Sequence, residues 1–246
     1  MNLREVVIGL SLVIVLGACS SLEPKQNIDP QANYWQSLGT VLDVNLIRPA
    51  DNPSLALDSS GNPVVSWDEF DGTSYNIYVK RWTGSSWQPL GSTLDINTNR
   101  SAYNPSLALD SSGNPVVSWT EWDGTSFNIY VKRWDGSSWQ PLGSTLDINT
   151  NQNAYAPSLA LDSSGNPVVS WYEYDGTSYN IYVKRWTGDS WQPLGSTLDI
   201  NTNQDAYIPS LALDSSGNPV VSWREYDGTS DNIYVKRWDG SSWQPL

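Results

Sequence analysis

The sequence predicts an all-β fold, a β-propeller of four four-stranded blades, and three observations predict it. LDSSGNPVVSW recurs unchanged at Leu57–Trp67, Leu109–Trp119, Leu161–Trp171 and Leu213–Trp223, each copy 52 residues after the last. Every period carries four short runs of strand character, and nowhere does an apolar pattern of helical period and length appear. Between the runs stand residues that reverse a chain, at fixed places in each copy. Sheets repeated in this way bury their faces by stacking on one another, which is the construction of a propeller.

Each element follows in order. The first strand of a period is PSLALD, whose small Ser54 and Ala56 suit a crowded innermost position. Asp58 to Asn62, with Gly61, supplies the turn into PVVSW. Asp71-Gly72 supplies the next turn, into NIYVKRW, and Gly84 the third, into WQPLG. These are residues that hairpins use to reach positive φ. Trp82 and Trp87 flank the third turn and are expected to pair across strands. Gly91 to Pro105 has no internal glycine and is too long for a tight hairpin, so it is expected to cross to the next blade. Blades are expected over 53–90, 105–142, 157–194 and 209–246, within a repeat domain of 34–246 that keeps a spare WQSL strand at 34–39. A closed four-bladed ring is the favoured assembly. The alternatives are an open arc, a fifth partial blade, or an eight-blade homodimer through unpaired or swapped strands.

The unit is similar in general form to Kelch or NHL-type repeats: an aliphatic strand, Asp-x-x-Gly, a Val-rich strand and a later Gly-x-x-Trp. It lacks the Kelch double glycine and the Trp-Asp blade terminus of WD40 repeats, so the resemblance implies a blade and no activity.

Val6–Leu16 is an apolar run of eleven residues behind Arg4, shorter than the roughly 20 needed to span a bilayer, and reads as an export signal. Leu16-Gly17-Ala18-Cys19 resembles the lipobox of bacterial lipoproteins, and the chain's one cysteine falls there. The resemblance implies a signal peptide over 1–18, lipidation of Cys19, and a membrane anchor holding the chain outside the cytoplasm, on the outer membrane if the host is Gram-negative. Residues 19–33 then form a polar tether.

Composition removes several chemistries. With 26 acidic against 13 basic residues and a net charge of -13, the chain repels nucleic acid. No histidine and a single cysteine leave no zinc site, no Ser-His-Asp triad and no disulfide framework. No cofactor is expected. The Asp and Asn of LDSSGN and LDINTN are oxygen ligands of the type calcium takes, a weak signal without a matching loop pattern.

Differences between the copies locate a face. After the invariant Trp of the second strand, the WxE position is Asp68, Thr120, Tyr172 or Arg224, and the residue after Glu is Phe70, Trp122, Tyr174 or Tyr226. Tyr75, Phe127, Tyr179 and Asp231 form another column, and Arg100-Ser101 becomes Gln152-Asn153 and Gln204-Asp205. Antiparallel alternation puts these turns and the crossover on one side. Asp68, Phe70, Thr120, Trp122, Tyr172, Tyr174, Arg224 and Tyr226, with Tyr103, Tyr155 and Tyr207, are therefore the candidate ligand-binding residues. Rings beside polar groups suit a glycan, with avidity across blades, or a protein partner.

Glu69, Glu121, Glu173 and Glu225 with Asp71, Asp123, Asp175 and Asp227 offer paired acids of the glycosidase kind. Catalysis needs two carboxylates in unlike surroundings, whereas the repeat gives them like ones, so the expectation is a binding module that catalyses nothing. A propeller glycosidase using these acids and a purely structural assembly protein are the alternatives. Arg81, Arg133, Arg185 and Arg237 are expected to pair with neighbouring acids.

Overall fold

The computed structural model describes residues 37–246. Of the two units into which the chain divides, Met1–Leu38 and Gly39–Leu246, the second holds every strand among the described residues. The export run, Cys19, the tether and Trp35 lie outside the described residues, and Ser37–Gly39 are not in a strand.

The blades are four separate antiparallel sheets. The first holds β1 (Ala50–Leu57), β2 (Pro63–Phe70), β3 (Tyr75–Trp82) and β4 (Trp87–Pro89) in that order. The second holds β5 (Ala102–Leu109), β6 (Pro115–Trp122), β7 (Phe127–Trp134) and β8 (Trp139–Pro141). The third holds β9 (Ala154–Leu161), β10 (Pro167–Tyr174), β11 (Tyr179–Trp186) and β12 (Trp191–Pro193). The fourth holds β13 (Ala206–Leu213), β14 (Pro219–Tyr226), β15 (Asp231–Trp238) and β16 (Trp243–Pro245). The first strand of each blade starts three residues before its repeat proline, because a bulge at Asn52, Asn104, Ala156 or Ile208 lets the strand continue into the crossover. All four bulge residues have φ between 48° and 53°.

Hydrophobic contacts run between blades. Ile77, Val64 and Val79 of the first sheet pack on Leu107, Val117 and Trp119 of the second, and the same set repeats at the next two interfaces. Ile77, Ile129 and Ile181 are completely buried, each such burial being worth about 1.5–3 kcal/mol. Polar bonds follow the same route. Ser54, Ser106 and Ser158 Oγ each accept from an amide of the next inner strand, Leu107, Leu159 and Leu211, at 3.0 Å. The indole N–H of Trp139, Trp191 and Trp243 each reaches back to a carbonyl of the preceding blade, at 2.6–2.7 Å. Beside that contact Gly91 has φ 77° and sits so close to the ring that an added Cβ would lie 3.2 Å from Trp139 Cδ1. Glycine is required there on both counts. Trp82 and Trp87 pair across the turn as expected, with centroids 5.4 Å apart and edges to faces, and the other three blades repeat the pair.

The arginines correct the expectation that they meet acids. Arg81, Arg133 and Arg185 donate to the carbonyls of Gly113, Gly165 and Gly217 in the next blade's turn. Among the described residues, Arg237 in the fourth blade is the one of the four that makes an ion pair, with Asp214 at 3.9 Å. That exception marks an end. Among the assemblies the sequence allows, the described residues form the open arc: Leu55 of the first blade is 61% exposed and Ile233 of the last is 72% exposed, although their counterparts between blades are buried.

Candidate functional site

The variable side of the arc is built from the β2–β3 type of turn and the crossover, locked together. Asp71 Oδ1 accepts from the amides of Thr73 and Ser74, which folds the turn. Ser74 Oγ then donates to the Thr98 carbonyl of the crossover at 2.7 Å. Blades two and three repeat the bond from Ser126 to Thr150 and from Ser178 to Thr202. The side chains of Ser101, Asn153 and Asp205 close the corner by accepting from the amides of Tyr75, Phe127 and Tyr179.

The repeated glutamates lie beneath this surface. Glu121 is 1% exposed. Its carboxylate accepts from the Trp119 indole at 2.8 Å and from the amides of Ile96 and Asn97 at 2.8–3.0 Å. Glu69, Glu173 and Glu225 hold their own Trp and crossover in the same way. Each is a latch between a core indole and a crossover, buried away from any ligand. Burial, opposed by the Ile129 amide and reinforced by Glu173, raises the Asp147 carboxyl to about 8. Burial raises Asp95 and Asp199 to about 7.

Above the latches the rings form a continuous ladder. Phe70 meets Tyr75 at 5.3 Å between centroids, and Tyr75 meets Tyr103 of the next blade at 5.1 Å. Tyr103 meets Phe127 at 6.2 Å, and Phe127 meets both Trp122 and Tyr155 at 5.1 and 5.3 Å. Tyr155 meets Tyr172 at 5.6 Å, and Tyr172 and Tyr179 both reach Tyr207 at 5.3 Å. Tyr174 joins from the side through Tyr179, also at 5.3 Å. The rings are half-buried. Burial, with Tyr179 and Tyr172 nearby, pushes the Tyr155 hydroxyl up to about 12, and burial with Asp205 beside it pushes Tyr207 up to about 12. Tyr155 and Tyr207 are therefore uncharged at physiological pH.

An arginine closes each end. Arg48 lies 5.6 Å from the Phe70 centroid, and Arg224 lies 5.1 Å from that of Tyr207 while pairing with Asp231 at 3.4 Å. A third, Arg100, lies over Gly124 and lines a recess of about 610 Å³ with Tyr103, Trp122 and Phe127. The NIYVKRW copies hold eight of the chain's 13 cationic side chains. Among the described residues, the cations outside those copies are Arg48, Arg100 and Arg224, all on this face.

The candidate residues separate on these facts. Phe70, Tyr103, Trp122, Tyr155, Tyr172, Tyr174 and Tyr207 are brought together in the ladder, with Arg224 at its end. Asp68 and Thr120 are each only 1% exposed and sit below the surface. Asp68 Oδ1 accepts from the Asn52 side chain and the Asn104 amide, and burial raises its pKa. Tyr226 is exposed and faces Asp231 across the strand pair where the other blades have a ring. Tyr75, Phe127 and Tyr179, left out of the candidate set, are the rungs that connect the blades. Their signal was a varying column holding rings in three copies of four.

Among the described residues no group of three or more His, Cys, Asp or Glu is placed to hold a metal ion. The Asp58 carboxylate accepts from the Ser60 and Asn62 amides and the Asn62 side chain, which commits it to its own turn.

No protein-family model and no curated protein sequence matches the chain. Solved structures do share its fold. A protein of unknown function from Dyadobacter fermentans matches with TM-score 0.60 at 14% identity, over 82% of this chain and 70% of that one. An alpha-L-arabinanase from Penicillium chrysogenum, solved with arabinobiose, matches with TM-score 0.58 at 13% identity, over 80% of this chain and 66% of that one. An ulvan lyase, a polysaccharide lyase, matches with TM-score 0.59 at 12% identity, over 79% of this chain and 54% of that one. At these identities the likeness is one of fold, and the chain spans about half the length of the lyase. It nevertheless corrects the expectation that the chain catalyses nothing. Near-identical blades are no argument against chemistry when the same blade architecture carries a hydrolase and a lyase.

Proposed function

We propose that the protein recognises a polysaccharide laid along the aromatic ladder, and that it does so outside the cytoplasm, held to a bacterial envelope by a lipid on Cys19. The observation that carries this reading is the ladder's continuity from Phe70 to Tyr207 across four blades. An unbroken row of half-buried rings, 5.1–6.2 Å from one to the next, suits an extended polymer, since sugar rings stack on aromatic side chains. The open recess at Arg100, Tyr103, Trp122 and Phe127 is the candidate subsite on the face. Arg48, Arg100 and Arg224, standing on an otherwise acidic chain, favour a polymer that carries carboxylate or sulfate groups. Two neighbours of the same fold, an arabinanase and an ulvan lyase, act on polysaccharides and support the class of ligand.

The test is retention on immobilised polysaccharides, neutral arabinan beside a uronate-containing polymer, with release of reducing ends or of unsaturated ends read in the same samples. Tyr103→Ala and Trp122→Ala are expected to weaken retention at least about tenfold, because sugar rings lose their stacking partner when the aromatic is removed. Arg100→Gln is expected to weaken only the anionic polymer. Equal retention by wild type and all three variants would refute the reading.

A further inference from the structure

The two ends of the arc are the separated halves of an interface the chain already makes three times. Between blades, the trailing face presents Val64, Ile77 and Val79, or their equivalents, and the leading face of the next blade receives them on Leu107, Val117 and Trp119. The last blade repeats the trailing set as Val220, Ile233 and Val235, with Ile233 72% exposed. On the first blade the leading set recurs as Leu55, Val65 and Trp67. Leu55 is 61% exposed, and a groove of about 310 Å³ runs between Val65, Trp67 and the Val41–Asp43 segment.

Part of the polar half of the interface is also unmade on the fourth blade. Ser54, Ser106 and Ser158 each accept an amide of the following inner strand. Ser210, their counterpart on the fourth blade, is exposed and accepts no such amide among the described residues. Arg81, Arg133 and Arg185 each reach a glycine carbonyl of the following blade, while Arg237 turns to Asp214 of its own. On the first blade, Gly61 stands at the position of Gly113, Gly165 and Gly217.

We propose that these ends take a second copy of this chain, the last blade of one copy docking on the first blade of the other, twice, to close a ring of eight blades. The occupant is argued from the complementarity itself: the surface that best fits each end is the surface at the opposite end. Two copies are the smallest number that closes the cycle, and eight blades lies within the usual range for propellers. A head-to-tail contact that did not close would run on into a filament. The proposal does not depend on the polysaccharide reading.

Sedimentation of the full 246-residue chain over a wide concentration range tests it. A species of twice the 27.3 kDa chain mass is expected, and because each copy carries a net charge of -13 it is expected to tighten as salt screens the repulsion. Ile233→Glu and Leu55→Glu each alter an exposed residue of the single chain, so both are expected to fold and to shift the dimer midpoint at least about tenfold, a polar group having replaced an apolar anchor. Mixing the two variants is expected to restore a dimer through the one undamaged contact. A chain that stays monomeric, an open-ended polymer, a dimer untouched by either variant, or a mixture that regains nothing would each overturn the proposal. Circular dichroism of each variant, matched to wild type, separates lost association from lost folding.

Discussion

Replacing Glu121 by alanine measures what the repeated carboxylate is for. The side chain is 1% exposed and accepts from one buried indole, Trp119 at 2.8 Å, and two crossover amides, Ile96 and Asn97. Removing it strands the indole N–H, which costs about 1–3 kcal/mol for a buried unsatisfied donor. The two amides lie nearer the surface, where water recovers part of the same loss. The whole effect is then about 3–5 kcal/mol, in line with breaking other buried charge-assisted networks. For a domain of this size each kcal/mol moves the melting temperature by about 2–4 °C, so a fall on the order of 6–20 °C is expected. Glu121→Gln keeps one acceptor oxygen but turns an amide donor toward a donor, and should cost about 1–3 kcal/mol. Urea unfolding measures both, and hydrogen exchange at the Ile96 and Asn97 amides reports whether the crossover has come loose. If Glu121→Ala loses less than about 1 kcal/mol, or leaves those amides as protected as before, the latch is wrong. If it spares stability and abolishes turnover of a polysaccharide, the carboxylate belongs to chemistry instead.

Three further outcomes are expected. Ile208 is β-branched yet held at φ 52°, where an Asn serves in the first two blades, so Ile208→Asn should raise stability by about 1 kcal/mol, read as a higher urea midpoint. A lower midpoint would mean that its side chain packs in solution. Asp95, Asp147 and Asp199 keep a proton in the folded chain above the ordinary 3.8 at which the unfolded chain releases it, so their contribution is complete below that pH and is lost as pH rises to about 7–8. The melting temperature should therefore decline from pH 5 to pH 8, less steeply in Asp147→Asn, and an equal slope in wild type and variant would remove this cause. Leu107→Ala empties a site between blades and should cost about 2–5 kcal/mol, whereas Leu55→Ala, at the same repeat position on the free end, should cost under about 1 kcal/mol in dilute solution. Matching losses at high dilution would show that the first blade is covered within the single chain.

The blade itself was legible in the sequence, because what makes a blade is local. Asp-Gly and Asp-x-x-Gly fix their turns through neighbouring amides, as the Asp58 and Asp71 carboxylates do, and the runs between them are too short and too β-branched for helix. Trp82 and Trp87 face each other because a tight turn sets their register. Even the side on which the copies differ follows from strand alternation alone.

Tertiary structure decided what depends on the next blade. Asp68, Thr120, Tyr172 and Arg224 occupy one repeat position, yet the first two are buried and the last two reach the ladder, since a short side chain ends below the rings and a long one passes them. The arginines bond glycine carbonyls rather than acids because the neighbouring turn, 32 residues on, presents its backbone to them. Whether four blades shut into a ring is set by the small rotation between sheets, which accumulates across three interfaces. A repeat of fixed length records that neighbours stack, but not whether the two ends meet, and in the structure Leu55 and Ile233 stay uncovered.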